Sequence, residues 1–358
     1  MTRSTDNPRL ARFAAFTAAA TLVLICFGGL VTSHGAGMAV PDWPNTFGYN
    51  PFFFPISKWV GNIFYEHTHR LVASGVGLLT TILAVWLWLK ESRRWLRWLG
   101  VAAFFAIVLQ GVLGGLRVVL FKDELGIFHA TLGQLFFVLT AAIALFTNRW
   151  WASAAALQRP VEDSTGLRRL FLVATFLIFG QLMLGATMRH QHAGLAIPDF
   201  PAAYGKVWPA TDADSIIRYN QNRVEINAVN PITAFQVVLQ MVHRIVALAI
   251  LCMVALAAWL TRRNLGWQNP LARISTAWLV LIMTQILLGA GTIWTGKSAD
   301  VATAHVAVGA LSLMTGAMLS IVSFRCLVRT AMSVQVAAKG ESGAVPFAGG
   351  ANAAPNVR

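Results

Sequence analysis

The sequence predicts an all-α membrane protein whose eight transmembrane helices form two pseudo-two-fold-related four-helix bundles. Three observations predict it. Hydrophobic residues make up 56% of the chain and charged residues 12%, about half the charged share of a soluble domain, so the charges are too few to cover a water-facing surface. Eight apolar stretches of roughly 20 residues are each long enough to cross a hydrocarbon core of ~30 Å. The last four stretches repeat landmarks of the first four.

The stretches lie near residues 10–32, 66–89, 97–117, 126–147, 168–188, 236–260, 272–293 and 302–325. The first follows Arg3, Arg9 and Arg12, as a secretory signal would. Its apolar run from Phe13 to Val31 exceeds the ~7–15-residue core of such signals, so it is read as a permanent helix. Lys90, Arg93, Arg94 and Arg97, then Arg149, Arg159, Arg168 and Arg169, then Arg262, Arg263 and Arg273 fill three loops on one side. The short opposite loops hold Arg117 and Lys122 in one and Lys297 in the other. Excess Lys and Arg mark the cytoplasmic side. The expectation is an integral protein of the bacterial inner membrane with both termini cytoplasmic and the long loops 33–65 and 189–235 outside.

The divisions expected are a cytoplasmic N-terminus (1–9), a first bundle (10–147), a cytoplasmic linker (148–167), a second bundle (168–325) and a tail (326–358). The tail is rich in Ala and Gly without apolar periodicity from about Ser333 onward and is expected to be disordered. The net charge of +14 is spread over separate cytoplasmic segments rather than gathered in one patch, which argues against a nucleic-acid partner. The bilayer is the partner that composition implies. Cys26, Cys252 and Cys326 fall in or at the ends of helices, so no disulfide framework, zinc site or thiol catalyst is indicated.

The repeat is specific. Gly35-Ala36-Gly37-Met38-Ala39-Val40-Pro41-Asp42-Trp43-Pro44 matches His192-Ala193-Gly194-Leu195-Ala196-Ile197-Pro198-Asp199-Phe200-Pro201. His69-Arg70-Leu71-Val72-Ala73 matches His243-Arg244-Ile245-Val246-Ala247. Gln110 with Leu113-Gly114 matches Gln285 with Leu288-Gly289, and His129 with Gly133 matches His305 with Gly309. Four helices per half, an even number, send both halves into the membrane in the same direction, as in a parallel repeat about an axis along the membrane normal.

His69, His129, His243 and His305 lie near the outer ends of the second, fourth, sixth and eighth spans. One ionisable side chain at membrane depth is costly and normally has a partner, although a lone histidine is more often a hydrogen-bonded packing residue. Four of them, paired by a repeat, match what two heme irons need: two axial imidazoles each, from opposite faces of a flat ring. Gly133 and Gly309 follow one turn later on the same face and would either admit the ring closely or serve helix packing. Zinc or copper fits less well, because clustered spacings and soft ligands are missing. Arg70 and Arg244, directly after the histidines of the second and sixth spans, and Arg189 at the end of the fifth are candidates to grip propionates in a fork geometry, or else interfacial residues that snorkel.

The halves differ at one telling place. Glu66 precedes His69 by three residues, where Gln240 precedes His243. A carboxylate beside one pocket can take a proton, orient water or stabilise a developing cation; an amide cannot relay protons in that way. The bland reading is a helix-start carboxylate favoured by the dipole.

These residues resemble the heme A synthase family over most of residues 10–325. Glu66-His67-Thr68-His69-Arg70 fits its Glu-x-x-His-Arg motif, and Pro41-Asp42-Trp43-Pro44 and the single histidines of the fourth, sixth and eighth spans fit as well. The resemblance implies oxidation of the C8 methyl of heme O to a formyl group, through successive hydroxylations and loss of water from a geminal diol, to supply heme A to terminal oxidases. It implies heme b as cofactor on His243 and His305, the substrate heme between His69 and His129, and Glu66 as the catalytic carboxylate. It also implies a heme O supplier such as a protoheme farnesyltransferase and terminal oxidase assembly factors as partners, and leaves homo-oligomer formation open. Many relatives carry a cysteine pair in the first outer loop and this chain has none there, so no thiol-dependent step can operate. His67 is expected on another face from His69, and His34, His190 and His192 are expected to be exposed or interfacial. The alternatives are a diheme b-type electron-transfer protein without heme-modifying activity, and a small-molecule transporter that would bind no heme.

Overall fold

The computed structural model describes residues 7–153, 159–161, 164–224 and 230–329. In chain order the helices are α1 (Pro8–Ser33), α2 (Gly61–Lys90), α3 (Arg94–Val119), α4 (Glu124–Thr147), the short α5 (Arg149–Ser153), α6 (Ser164–His190), the short α7 (Ala213–Gln221), α8 (Ala234–Leu265), α9 (Pro270–Trp294) and α10 (Ala299–Cys326). The eight long ones are apolar enough to cross a membrane. Each is longer than the apolar core read from sequence, because polar residues at its ends continue the backbone hydrogen bonding beyond the hydrocarbon. The expected linker contains α5 and a three-residue strand, β1 (Arg159–Val161), which pairs in parallel with β2 (Leu327–Arg329). The chain just past α10 is therefore ordered, and the rest of the expected tail lies outside the described residues.

Local chemistry sets the helix ends. Asn7 and Asn269 cap α1 and α9, each followed by a proline at the first helical position, where its missing N–H costs nothing. Thr233 and Gln236 form a capping box at the start of α8. Many hydroxyls within the spans bond back one turn, as from Thr21 to the Thr17 carbonyl and from Thr261 to the Ala257 carbonyl, which spares those donors the cost of facing lipid bare.

Helices α1, α2, α3 and α4 pack as a ring of neighbours, and α6, α8, α9 and α10 pack as a second. The rings meet where α1 touches α10, α4 touches α6, and α4 touches α10. This pattern maps onto itself when the halves are exchanged, which is compatible with the pseudo-two-fold arrangement. Each ring has its own apolar core, around Leu83, Leu96 and Ile143 in the first and Phe171, Trp278 and Leu319 in the second. A smaller cluster of Ala18, Phe137 and Ala310 joins them.

The outer loops explain the repeated Pro-Asp motif. The Asp42 carboxylate accepts from the backbone N–H groups of Phe47 and Gly48, both at 2.7 Å. Asp199 does the same for Tyr204 at 2.7 Å and Gly205 at 2.8 Å. Phe47, Gly48, Tyr204 and Gly205 all have positive φ, from 50° to 76°, a left-handed turn that the aspartate fork holds together. These bonds outweigh partial burial and keep Asp42 below the usual carboxylate range.

Candidate functional site

The helices bring the four span histidines together in pairs. His69 on α2 and His129 on α4 lie with ring centroids 6.5 Å apart and planes at 86°. An imidazole nitrogen binds a metal at roughly 2 Å with its ring centre about 1 Å behind, so two rings on opposite sides of one iron have centres about 6 Å apart. The observed pair has that spacing. In the second half His243 on α8 and His305 on α10 occupy the equivalent places, on diagonal helices of the second ring. All four histidines are partly buried between the helices of their rings. Nδ1 of His69, His243 and His305 is buried with no hydrogen-bond partner among the described residues, while Nε2 of His305 lies 3.4 Å from Gln285 Nε2. The His69 and His243 rings, with no hydrogen bond to orient them among the described residues, need another anchor, and a metal–imidazole bond is one. Among the described residues no group of three or more His, Cys, Asp or Glu could hold a bare metal ion. Two imidazoles per slot therefore fit a macrocycle that supplies the other ligands itself.

Two sets of glycines lie close to the histidines and their neighbours. A Cβ on Gly133 would meet only the Gln110 side chain, and one on Gly309 would meet Leu182 and Gln285. Both positions lie against glutamines, Gln110 and Gln285, of the neighbouring helix. Turned with its amide nitrogen toward His129, Gln110 reaches the His129 carbonyl at 3.1 Å and Nδ1 at 3.0 Å, and its oxygen accepts from Gly133 N at 3.2 Å. The imidazoles themselves back onto Gly28 of α1, Gly114 of α3, Gly185 of α6 and Gly289 of α9. Added Cβ atoms there would lie 3.2, 3.3, 3.5 and 3.1 Å from Cε1 of His69, His129, His243 and His305 respectively. One glycine per histidine, each from a neighbouring helix, is a four-fold use of one packing device. Gly114 and Gly289 stood among the repeat landmarks; Gly28 and Gly185 carried no signal beyond their place in the spans.

Glu66 is 4% exposed. Its Oε2 accepts from Val40 N at 2.9 Å and its Oε1 from Arg70 at 2.6 Å. Arg70 also donates to the carbonyls of Val40, Asp42 and Asn45. The second half repeats the clamp: Gln240 accepts from Ile197 N at 2.8 Å, and Arg244 donates to the carbonyls of Asp199 and Ala202. Arg70 and Arg244 thus direct Nη donors to the loops after α1 and α6, Arg70 also to Glu66. Arg189 leaves its own half to donate to the Gly29 carbonyl at 2.9 Å and to Ser33 Oγ at 2.8 Å on α1.

His67 is fully buried on another face, as expected, 3.2 Å from Thr46 Oγ1 through Nδ1 and packed on Phe54 and Trp59. His34 and His192 are exposed, as expected, with His34 stacked on Tyr65. His190 departs from the expectation. Its side chain is only 7% exposed and lies beside Asp123, across the junction between halves. Sequence reasoning also passed over Arg117, used there only to judge orientation. Its guanidinium packs against Gly126 of α4, one turn before His129.

An eight-span membrane protein with paired, enclosed imidazoles between its helices is the class that this fold and site define. Residues 11–317 match the COX15-CtaA family, described as cytochrome oxidase assembly protein. The chain belongs to that family, as the resemblance to heme A synthase implied. It is 30% identical over 207 residues to a protein named heme A synthase from Alkalihalophilus pseudofirmus, covering 57% of this chain and 67% of the relative. It is 24% identical over 308 residues to one so named from Halalkalibacterium halodurans, covering 85% and 93%. For one from Geobacillus kaustophilus the identity is 27% over 313 residues, covering 82% and 84%.

Proposed function

We propose that this chain is an enzyme of heme A biosynthesis in the bacterial cytoplasmic membrane, oxidising the C8 methyl of heme O to a formyl group. The observation that carries the proposal is the enclosed His69–His129 pair at heme-ligating separation, in a chain whose relatives bear the name heme A synthase. The first half takes the substrate between His69 and His129. The second half holds heme b between His243 and His305, which when bound supplies a one-electron carrier. The excess of Lys and Arg in the loops after the second, fourth and sixth spans supports cytoplasmic termini.

The methyl carbon gains one oxygen from water, with loss of two electrons and two protons, to give the alcohol. A second such step gives the geminal diol, which sheds water to leave the aldehyde. Glu66 is the carboxylate for these steps. It lies three residues before His69, and although both its oxygens are engaged, a carboxylate has about four lone-pair sites. The remaining ones can hold the attacking water or stabilise positive charge at the carbon. Enclosure by α1 to α4 excludes bulk water and strengthens that charge interaction.

A second reading rests on one observation. Gln240 makes the same loop contact as Glu66, so Glu66 has a structural task whether or not it does chemistry, which suits a diheme electron-transfer protein. Purified protein given heme O and an electron acceptor separates the two. Hydroxylated and formylated hemes by mass analysis are expected. Heme O recovered unchanged beside an intact low-spin heme spectrum would reject the enzyme.

A further inference from the structure

Arg117 ends α3 one turn past Gly114, the glycine behind His129. Its Nη2 donates to Asp123 Oδ1 at 2.9 Å. Its side chain is 15% exposed, whereas Asp123 is 49% exposed. The guanidinium lies so close over Gly37 of the outer loop that any Cβ there would overlap it. Its Nε is buried with no partner among the described residues. His190, the last residue of α6, comes from the other half and lies with Arg117 against Gly126, one turn before His129. Its Nδ1 is 4.0 Å from Asp123 Oδ1. A largely enclosed guanidinium with an idle buried Nε, packed against Gly126 one turn before His129 at the mouth of the slot, lacks one acceptor.

The second half is built differently. Three residues after Gly289 stands Thr292, whose hydroxyl bonds back to the Leu288 carbonyl. The counterpart of Gly37 is Gly194, which is covered by the Lys297 stem, with 3.2 Å from an added Cβ to its Cδ. An arginine fork thus stands over the first slot and a lysine over the second, from non-equivalent positions. Arg and Lys differ in that the fork can grip a carboxylate through two donors at once.

We propose that Arg117 is the carboxylate-binding residue of the first slot. It takes a propionate-type side chain of the tetrapyrrole held there, with Asp123 as its resting counter-charge and His190 closing the mouth from the other half. This rests on the heme reading above. Arg70, held by Glu66 and three loop carbonyls, then serves the loop rather than the ligand of the first slot. Carboxylate capture by Arg117 also gives the first slot a fixed ring orientation, which a reaction at one particular methyl requires.

The test uses the purified full chain, with heme content and the midpoint potential of each heme as readouts. In Arg117→Gln one heme is retained about tenfold less well, the size of one charge-assisted hydrogen bond. What remains of it titrates at a lower potential, because the lost cation favoured the reduced iron, and the other heme is unmoved. Arg117→Lys restores the potential but not full retention. Asp123→Asn shifts the same potential upward, and this variant carries the test if Arg117→Gln does not accumulate. Unchanged retention and potentials in Arg117→Gln, or an unmoved potential in Asp123→Asn, would overturn the proposal while leaving heme binding intact. Wild-type protein without heme in either half would instead remove both readings together.

Discussion

Glu66→Gln isolates charge from structure at the proposed catalytic position, and the second half of the protein shows why. Gln240 occupies the equivalent place and accepts from Ile197 N at 2.8 Å, so a glutamine at position 66 can keep the bond to Val40 N. What it loses is the ion pair with Arg70. Arg70 retains three loop carbonyls, and Arg244 is held by two carbonyls without a hydrogen-bonded carboxylate among the described residues. The expected stability cost is therefore about 1–2 kcal/mol, below the roughly 3–5 kcal/mol of stripping a buried charge of its whole partner set. Removing a general base or a charge-stabilising carboxylate should slow the reaction about 10²- to 10⁴-fold. The assay is mass analysis of hemes produced from heme O, run beside heme content and thermal unfolding in detergent. Near-wild-type heme content with heme O oxidation all but lost is expected. Oxidised product at the wild-type rate would refute the catalytic role and leave Glu66 as a loop clamp. Glu66→Ala should differ by also leaving Val40 N unpaired and loosening the loop.

Other outcomes follow from the same geometry. Gly289→Ala, with its Cβ 3.1 Å from the His305 ring, should cut heme retention in the second half more than Gly185→Ala, whose 3.5 Å contact with His243 is ordinary van der Waals distance; heme content per chain reads the order. Asp199→Ala removes the fork under Tyr204 N and Gly205 N and should cost about 1–3 kcal/mol in thermal unfolding, with heme retained until the loop opens. Tyr204 donates to the Ala196 carbonyl at 2.5 Å and stacks on Tyr219 at 3.5 Å. Burial, then Tyr219 and Asp199, push its hydroxyl up to about 12. An unfolded tyrosine ionises near ~10, so its stabilising contribution is whole below that pH and is lost as pH rises to about 12. Tyr204→Phe should therefore flatten the fall in stability across that window.

Much of this was legible in sequence because it is local or periodic. The eight spans follow from apolar runs, the two rings from the repeat, and the histidine pairs from ionisable residues recurring in even-numbered spans. The helix overruns were not legible, since polar ends carry no hydropathy signal. Gly133 and Gly309 were read as admitting the ring or serving helix packing, because spacing along one helix says which face a residue shares, not what the neighbouring helix brings to that face. For the same reason Gly28 and Gly185, which lie against His69 and His243 from other helices, left no trace. The loop clamps of Arg70 and Arg244 join residues 25 to 45 positions apart. Arg117, Asp123 and His190 meet across both halves, where no periodicity of one segment can point. Arg189 was visible as an outer-end arginine, but its reach onto α1 depends on how the two rings dock.

The paired imidazoles are the centre of this account, and bound heme per chain tests them most directly. Purified wild-type protein should bind heme in both halves with bis-histidine low-spin spectra. His129→Ala should lose the heme of the first half alone, and His305→Ala that of the second. Wild-type spectra and heme content in both variants, or a wild-type protein that takes up no heme at all, would contradict it.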